Sequence, residues 1–207
     1  MTNRATRTTV VLASANKGKL RELQQILGDN VKVVSAADMA ITMPEETSNT
    51  FAGNAALKSI AAFEQTGHIT IADDSGLEVD ALDGRPGVYS ARFAGEDATD
   101  SENNKKLLRE LTDVPDGLRS ARFRSAIAIS VDNGEPLIFE GAVEGTIGFE
   151  EIGSNGFGYD PLFRLPNGRS FAEMTSEEKN PISHRGVAMK KAMPVLLEYI
   201  SQKEGQD

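Results

Sequence analysis

The 207-residue chain contains no cysteine, which removes disulfides, thiolate zinc sites and cysteine nucleophiles together. Histidine is nearly as scarce. Only His68 and His184 could ligate a soft metal through nitrogen, so a histidine zinc centre is set aside and any metal should be hard and oxygen-bound. An excess of positive charge is missing too: 22 basic residues stand against 31 acidic ones, for a net charge of −9. A sequence-independent grip on nucleic acid needs a basic surface, so that class is also set aside. A mononucleotide remains open, because it needs only a few well-placed cations. No apolar run approaches the length of a membrane span. The basic opening MTNRATR is followed by VVLASANK, without the sustained apolar core of a signal peptide. The expectation is a cytoplasmic protein with no membrane and no nucleic-acid partner.

What is present reads as an α/β chain of ordinary globular composition, 39% hydrophobic and 26% charged. TTVVLAS (8–14) is a buried strand by its β-branched run, and KLRELQQILG has leucines and isoleucine at helical spacing closed by Gly28. VKVVS (31–35) follows as a strand, so the opening is a parallel crossover. A polar stretch, 36–49, precedes a helix capped by Thr50 and stopped by Gly67. ITIADD is then a strand, GLEVDAL a possible neighbour and DGRPGVYSAR a loop. TDSENNKKLLRELTDV is a capped helix. RFRSAIAISVDNGEPLIFEGAVEGTIG reads as a hairpin about Asp132-Asn133-Gly134. SHRGVAMKKAMPVLLEYIS is the last helix, with Pro194 expected to kink or divide it. The architecture expected is a central mixed β-sheet flanked by helices.

Four stretches carry chemistry. In ASANKGK (13–19) a polar turn joins a buried strand to a helix, putting backbone N–H groups and a positive helix end at one spot. Lys17 and Lys19 add charge, Ser14 and Asn16 add donors, and the Walker pattern GxxxxGK[ST] is absent. An ordinary β–α turn remains the simpler reading of these residues alone. Asp73-Asp74 is expected to close its strand, because two carboxylates in succession cannot share a face and a buried strand has no use for an unpaired one. Glu45-Glu46 lies in the polar loop before, and acids at strand or loop ends can meet where α/β sheets bind ligands. Magnesium takes a few carboxylates with water and phosphate oxygens. In SNGFGYDP (154–161), glycines allow close backbone approach, Phe157 could stack on a flat ring or pack as a lid, and Asp160 adds an acid. In EEKNPISHRG (177–186), Lys179, His184 and Arg185 gather at a helix start, against the dipole's preference. A ligand or a surface ion-pair group would explain them.

Together SANKGK, PEETSNTFAGNA, ADDSGL with PGVYSAR, FGYDP and ISHRG resemble the inosine triphosphate pyrophosphatase family, enzymes of noncanonical purine nucleoside triphosphates. The motifs run in the family's order from about Val10 to Ile200. The resemblance implies an elongated α/β fold of two lobes with the active cleft between them. A short basic arm (1–9) would precede one two-lobed domain (10–201) and a polar tail (202–207). It implies a homodimer and Mg²⁺-dependent hydrolysis of ITP, dITP or XTP to the monophosphate and pyrophosphate, cleansing the nucleotide pool before incorporation into DNA or RNA. Ser14, Ala15, Asn16, Lys17, Gly18 and Lys19 would hold the triphosphate. Glu45 and Asp74 would bind magnesium, with Asp74 the proton acceptor. Ser75, Phe157, Gly158, Tyr159, Asp160, Lys179, His184 and Arg185 would bind substrate. Asp73 would face away, on backbone or a cation.

Three rivals are weighed against this. A Maf-like pyrophosphatase carries arginines after a Ser-x-Ser turn, where this chain has Asn16 and Lys19. A haloacid-dehalogenase-type phosphatase needs Asp-x-Asp after the first strand, where this chain has SAN. A non-catalytic nucleotide sensor would not need every acid and base to be kept.

Overall fold

A computed structural model describes residues 8–14, 16–28 and 31–205. Ala15, most of the basic arm (1–7) and the last two residues of the polar tail lie outside the described residues. Strand β1 (Thr9–Leu12) leads into α1 (Lys17–Leu27), then β2 (Lys32–Ser35), α2 (Phe51–Thr66) and β3 (Ile69–Val79). After 3-10 turns at Asp80–Leu82 and Gly87–Arg92 come α3 (Asp100–Glu110), β4 (Ser120–Ser130), β5 (Leu137–Ile147) and β6 (Phe163–Arg164). A third 3-10 turn, Phe171–Glu173, is followed by α4 (Ser176–Lys179) and α5 (His184–Glu204). The sheet order is β2-β1-β3-β4-β5-β6. β1 pairs in parallel with both β2 and β3, and β5 pairs antiparallel with β6. The sheet is therefore mixed, as expected, and the first crossover is the parallel unit foreseen from strand, helix and strand.

The chain divides into two compact units. One comprises the described residues up to Asp73, Ala126–Glu140 and the described residues from Ala188 onward; the other comprises Asp74–Ser125 and Gly141–Val187. Each has its own core. In the first, Val10 and Leu12 of β1, Leu23 and Leu27 of α1, Ile69 and Ile71 of β3 and Leu196 of α5 pack together. In the second, Leu77, Leu107, Phe123, Phe163 and Phe171 do so. Burying each such side chain is worth about 1.5–3 kcal/mol, which fixes the strands on which the polar residues ride.

Two expectations need correction. The strand does not close on Asp73-Asp74: β3 continues through both, Ser75 and Gly76 to Val79. The buried carboxylates are tolerated because partners are supplied from elsewhere in the fold, which strand periodicity does not reveal. Pro194 does not divide the last helix, which is assigned unbroken from His184 to Glu204. It sits on the exposed side, as does Lys190 four residues earlier, so water can serve the carbonyl that loses its intrahelical partner.

Candidate active site

In the first unit the turn after β1 is organised by its own side chains. Asn16 is the N-cap of α1: its Oδ1 accepts from Gly18 N–H at 2.9 Å and Lys19 N–H at 3.1 Å. Ser14 is buried, and its hydroxyl accepts from Asn16 N–H at 3.2 Å. Two of the helix-end donors are thus engaged by the cap in this state. Lys17 is exposed. Lys19 reaches inward instead, its ammonium 3.0 Å from Asp73 Oδ2. Asp73 is completely buried and faces this cation, one of the two partners expected for it.

The acidic loop before α2 joins the same network through a residue the sequence did not single out. Lys58, buried on α2, donates to Glu46 Oε1 at 2.8 Å and to the Asp73 carbonyl at 2.9 Å. Glu46 is half-buried, whereas Glu45 is exposed. Gly53 explains the glycine in TFAGNA, because a side chain there would run into Ser48, whose N–H is held by Asn54 Oδ1 at 2.9 Å.

In the second unit Asp74 is 5% exposed and, by strand alternation, points to the face opposite Asp73. Next to it, the Ser75 hydroxyl accepts from an Arg185 guanidinium nitrogen at 2.8 Å. Arg185 is buried, and its guanidinium carbon is 5.8 Å from the Phe157 ring centroid. The Lys179 ammonium lies 5.2 Å from the same centroid. Two cations therefore lie within cation–π range of one aromatic ring. Lys179 is itself in a buried ion pair, 2.6 Å from Asp160 Oδ2, and that oxygen also accepts from Phe157 N–H at 3.0 Å. Gly156 has φ +75°, and a side chain there would meet the Asp160 carboxylate. The loop is thus wound about Asp160.

The basic group at 177–186 is arranged differently from the expectation. Lys179 closes α4 rather than opening a helix, so it agrees with that helix's dipole. Only His184 and Arg185 lie in the first turn of α5, where Ser183 caps Gly186 N–H at 3.0 Å. Gly186 is needed because a side chain would strike the Asn180 carbonyl. His184 is buried and stacks on Phe123, with centroids 4.8 Å apart and planes 12° from parallel. Tyr159 is likewise a core residue: its hydroxyl donates to the Ser90 carbonyl at 2.8 Å, and burial, then the Asp100 charge, push its ionisation well above the ordinary phenol range. Ser90 also caps Leu77 N–H at 2.9 Å. The glycine- and proline-rich PGVYSAR loop is therefore a 3-10 turn that ties β3 to the FGYD segment.

The metal expectation rests on Glu45 and Asp74. Among the described residues no group of three histidine, aspartate or glutamate side chains is placed to hold a metal. Magnesium often takes only one or two protein carboxylates, completing its shell with water and substrate phosphates. Glu45 is exposed and Asp74 is buried, and each is a carboxylate of the kind magnesium accepts.

The Ham1 family model matches residues 10–195. A dITP/XTP pyrophosphatase of Desulforamulus reducens is 54% identical over 190 residues, covering 90% of this chain and 94% of that protein. One from Escherichia coli strain K12 is 47% identical over 191 residues, covering 90% and 97%. Among solved structures, a HAM1 protein from Coxiella burnetii superposes with a TM-score of 0.83 at 44% identity, covering 92% of this chain and 99% of that one.

Proposed function

The chain belongs to the Ham1 family, and from that premise we propose that it hydrolyses noncanonical purine nucleoside triphosphates, dITP, XTP and ITP, to the monophosphate and pyrophosphate. One observation carries the reading beyond kinship. A single buried guanidinium, Arg185, joins Ser75, the neighbour of Asp74, to the ring of Phe157. A strand hydroxyl next in sequence to the proposed base and a flat apolar platform are thus both met by one side chain.

Magnesium, held by Glu45 and Asp74, would supply positive charge to the phosphates and lower the pKa of a bound water. Asp74 accepts the proton of the attacking water in this proposal. Lys17 and the Ser14–Lys19 turn receive the triphosphate, with a phosphate oxygen taking over donors that Asn16 now holds. Phe157 offers its face to the purine. Lys179 and Arg185 present donors and no acceptor, which suits the 6-oxygen of hypoxanthine or xanthine and rejects the 6-amino group of adenine. A mismatch of that kind in a polar pocket discriminates by as much as about 10⁴.

The test is a panel of nucleoside triphosphates with direct detection of pyrophosphate. Release from dITP and XTP far above that from ATP is expected, abolished by EDTA and restored by Mg²⁺. Glu45→Gln should raise the Mg²⁺ needed for half-maximal rate. Orthophosphate and a nucleoside diphosphate as the products would overturn the assignment. The homodimer and cytoplasmic location belong to the same proposal, the first measurable by light scattering. No helix among the described residues is long and apolar enough to cross a membrane.

A further inference from the structure

The FGYD segment is held at its midpoint by a helix that no motif includes. Gly158 N–H donates to Asp100 Oδ2 at 2.7 Å, and the Gly158 carbonyl accepts from Asn104 Nδ2 at 3.1 Å. Asp100 and Asn104 are four residues apart on α3, hence on one face and one turn apart. The N–H belongs to the peptide before Gly158 and the carbonyl to the peptide after it. Holding both fixes the two planes about its Cα, at a φ of +60° that a residue with a side chain resists. The first of these planes carries the Phe157 carbonyl, so the clamp acts on the backbone beside the Phe157 ring.

Asn104 shows that the arrangement is not generic packing. It is 3% exposed, and its Oδ1 is buried with no hydrogen-bond partner. A buried acceptor left unpaired is costly and calls for an explanation. Turning the amide over would set its oxygen against the Gly158 carbonyl, so the bond to Gly158 dictates which end goes unserved. The loop has other anchors as well. Ser154 and Asn155 N–H donate to the Ala172 carbonyl at 3.1 and 3.0 Å, and Asp160 is paired with Lys179. Those anchors secure the segment's two ends. The α3 clamp addresses the residue between Phe157 and Tyr159.

We propose that Asp100 and Asn104 are positioning residues for purine recognition, holding the Phe157–Gly158 backbone so that the Phe157 ring is presented at a fixed angle. This rests on the reading that Phe157 meets the purine. The experiment compares wild type, Asp100→Ala with Asn104→Ala, Asn104→Ala alone, Asp100→Asn, Phe157→Ala and the triple variant, measuring kcat and KM on dITP, thermal midpoint and amide hydrogen exchange. Loss of both clamp bonds should raise KM about tenfold with kcat within about twofold. Asp100→Asn, whose amide oxygen still accepts, should return KM to near wild type. Phe157→Ala should raise KM alone and add little once the clamp is gone, since the two act as one unit.

A lowered thermal midpoint with unchanged KM, or KM increases that multiply in the triple variant, would reduce the clamp to a structural contact and overturn the proposal. If the double variant does not fold, Asn104→Ala alone decides by the same criteria. Wild type releasing no pyrophosphate from dITP or XTP would instead defeat the functional reading. Hydrogen exchange then judges the clamp by itself: faster exchange at the Phe157 and Asp160 amides supports it, and unchanged exchange there rejects it.

Discussion

Both units set acids against cations largely out of solvent, but the two clusters are built to different ends. In the first, Lys19 answers Asp73, while Lys58 answers Glu46 and the Asp73 carbonyl. Its charges close on one another and on the strand backbone. In the second, Lys179 answers Asp160, but that ammonium and the Arg185 guanidinium also lie near the Phe157 ring. The first arrangement holds backbone in place; the second holds donors beside a flat face. The boundary falls within one strand, between Asp73 and Asp74. Neighbouring carboxylates of the same strand therefore belong to different units.

Exchanging each of the two for its amide tests that division most severely. On the proposed mechanism, Asp74→Asn keeps the shape and loses the base together with a magnesium charge. A positioned general base is worth about 10²–10⁴-fold, so kcat should fall by at least that range while the nucleotide still binds. Asp73→Asn should act on stability. Removing one partner of a buried ion pair costs about 3–5 kcal/mol, and about 3 kcal/mol lowers Tm by roughly 6–12 °C in a chain of this size. Activity of the protein that remains folded should be close to wild type. Thermal melts and turnover on dITP read both. Near-normal turnover in Asp74→Asn with loss in Asp73→Asn would reverse the assignment.

Arg185→Ala probes the second cluster at the next level of effect. It removes the donor on Ser75 and one of the two cations at Phe157. The dITP rate should fall by about 10²-fold, whereas the already weak ATP rate changes little, because adenine had no use for that donor. The ratio of kcat/KM for dITP and ATP is the readout. A parallel fall in both would make Arg185 a structural cation of the kind found in the first cluster.

Much of this fold is legible from residue patterns. The apolar spacing of Leu20, Leu23 and Leu27 and the stop at Gly28 mark α1, as Thr50 and Gly67 bound α2. The motif residues could be singled out too, because glycine beside acids and aromatics is unusual in a core. Illegible are the pairings. Asp73 and Asp74 read as a strand end because adjacent carboxylates look unpayable in a sheet; the partner that allows the strand to continue, Lys19, is 54 positions away. Tyr159 and Asp160 sit in a ligand-like motif yet turn inward, to Ser90 and Lys179. Asp100 and Asn104 look like an ordinary capped helix start, since their bonds to Gly158 span 58 and 54 positions and leave no period. A side chain's type shows what it can do, but its contacts come from folding.

The smallest effect belongs to the cap that sets α3 in place. Thr99 and Glu102 form a reciprocal box: the Thr99 hydroxyl accepts from Glu102 N–H, and Glu102 Oε2 accepts from the Thr99 N–H and hydroxyl, both at 2.8 Å. Those bonds, the backbone one first, hold the Glu102 carboxyl below its ordinary range. A depressed folded-state pKa contributes stability that is present above the ordinary glutamate range and is lost as pH falls through the folded value. Thr99→Ala should therefore lower Tm by about 2–4 °C near neutrality, and the gap to wild type should narrow in acid once Glu102 is protonated in both. Because Asp100 is the first residue of that helix, fraying should also loosen its hold on Gly158 and raise KM for dITP by less than the clamp variants do. A Thr99→Ala protein with the lowered Tm but an unchanged KM would show that the clamp survives on the packing of Leu107 and Leu111 alone, and the second cluster would then be as self-sufficient as the first.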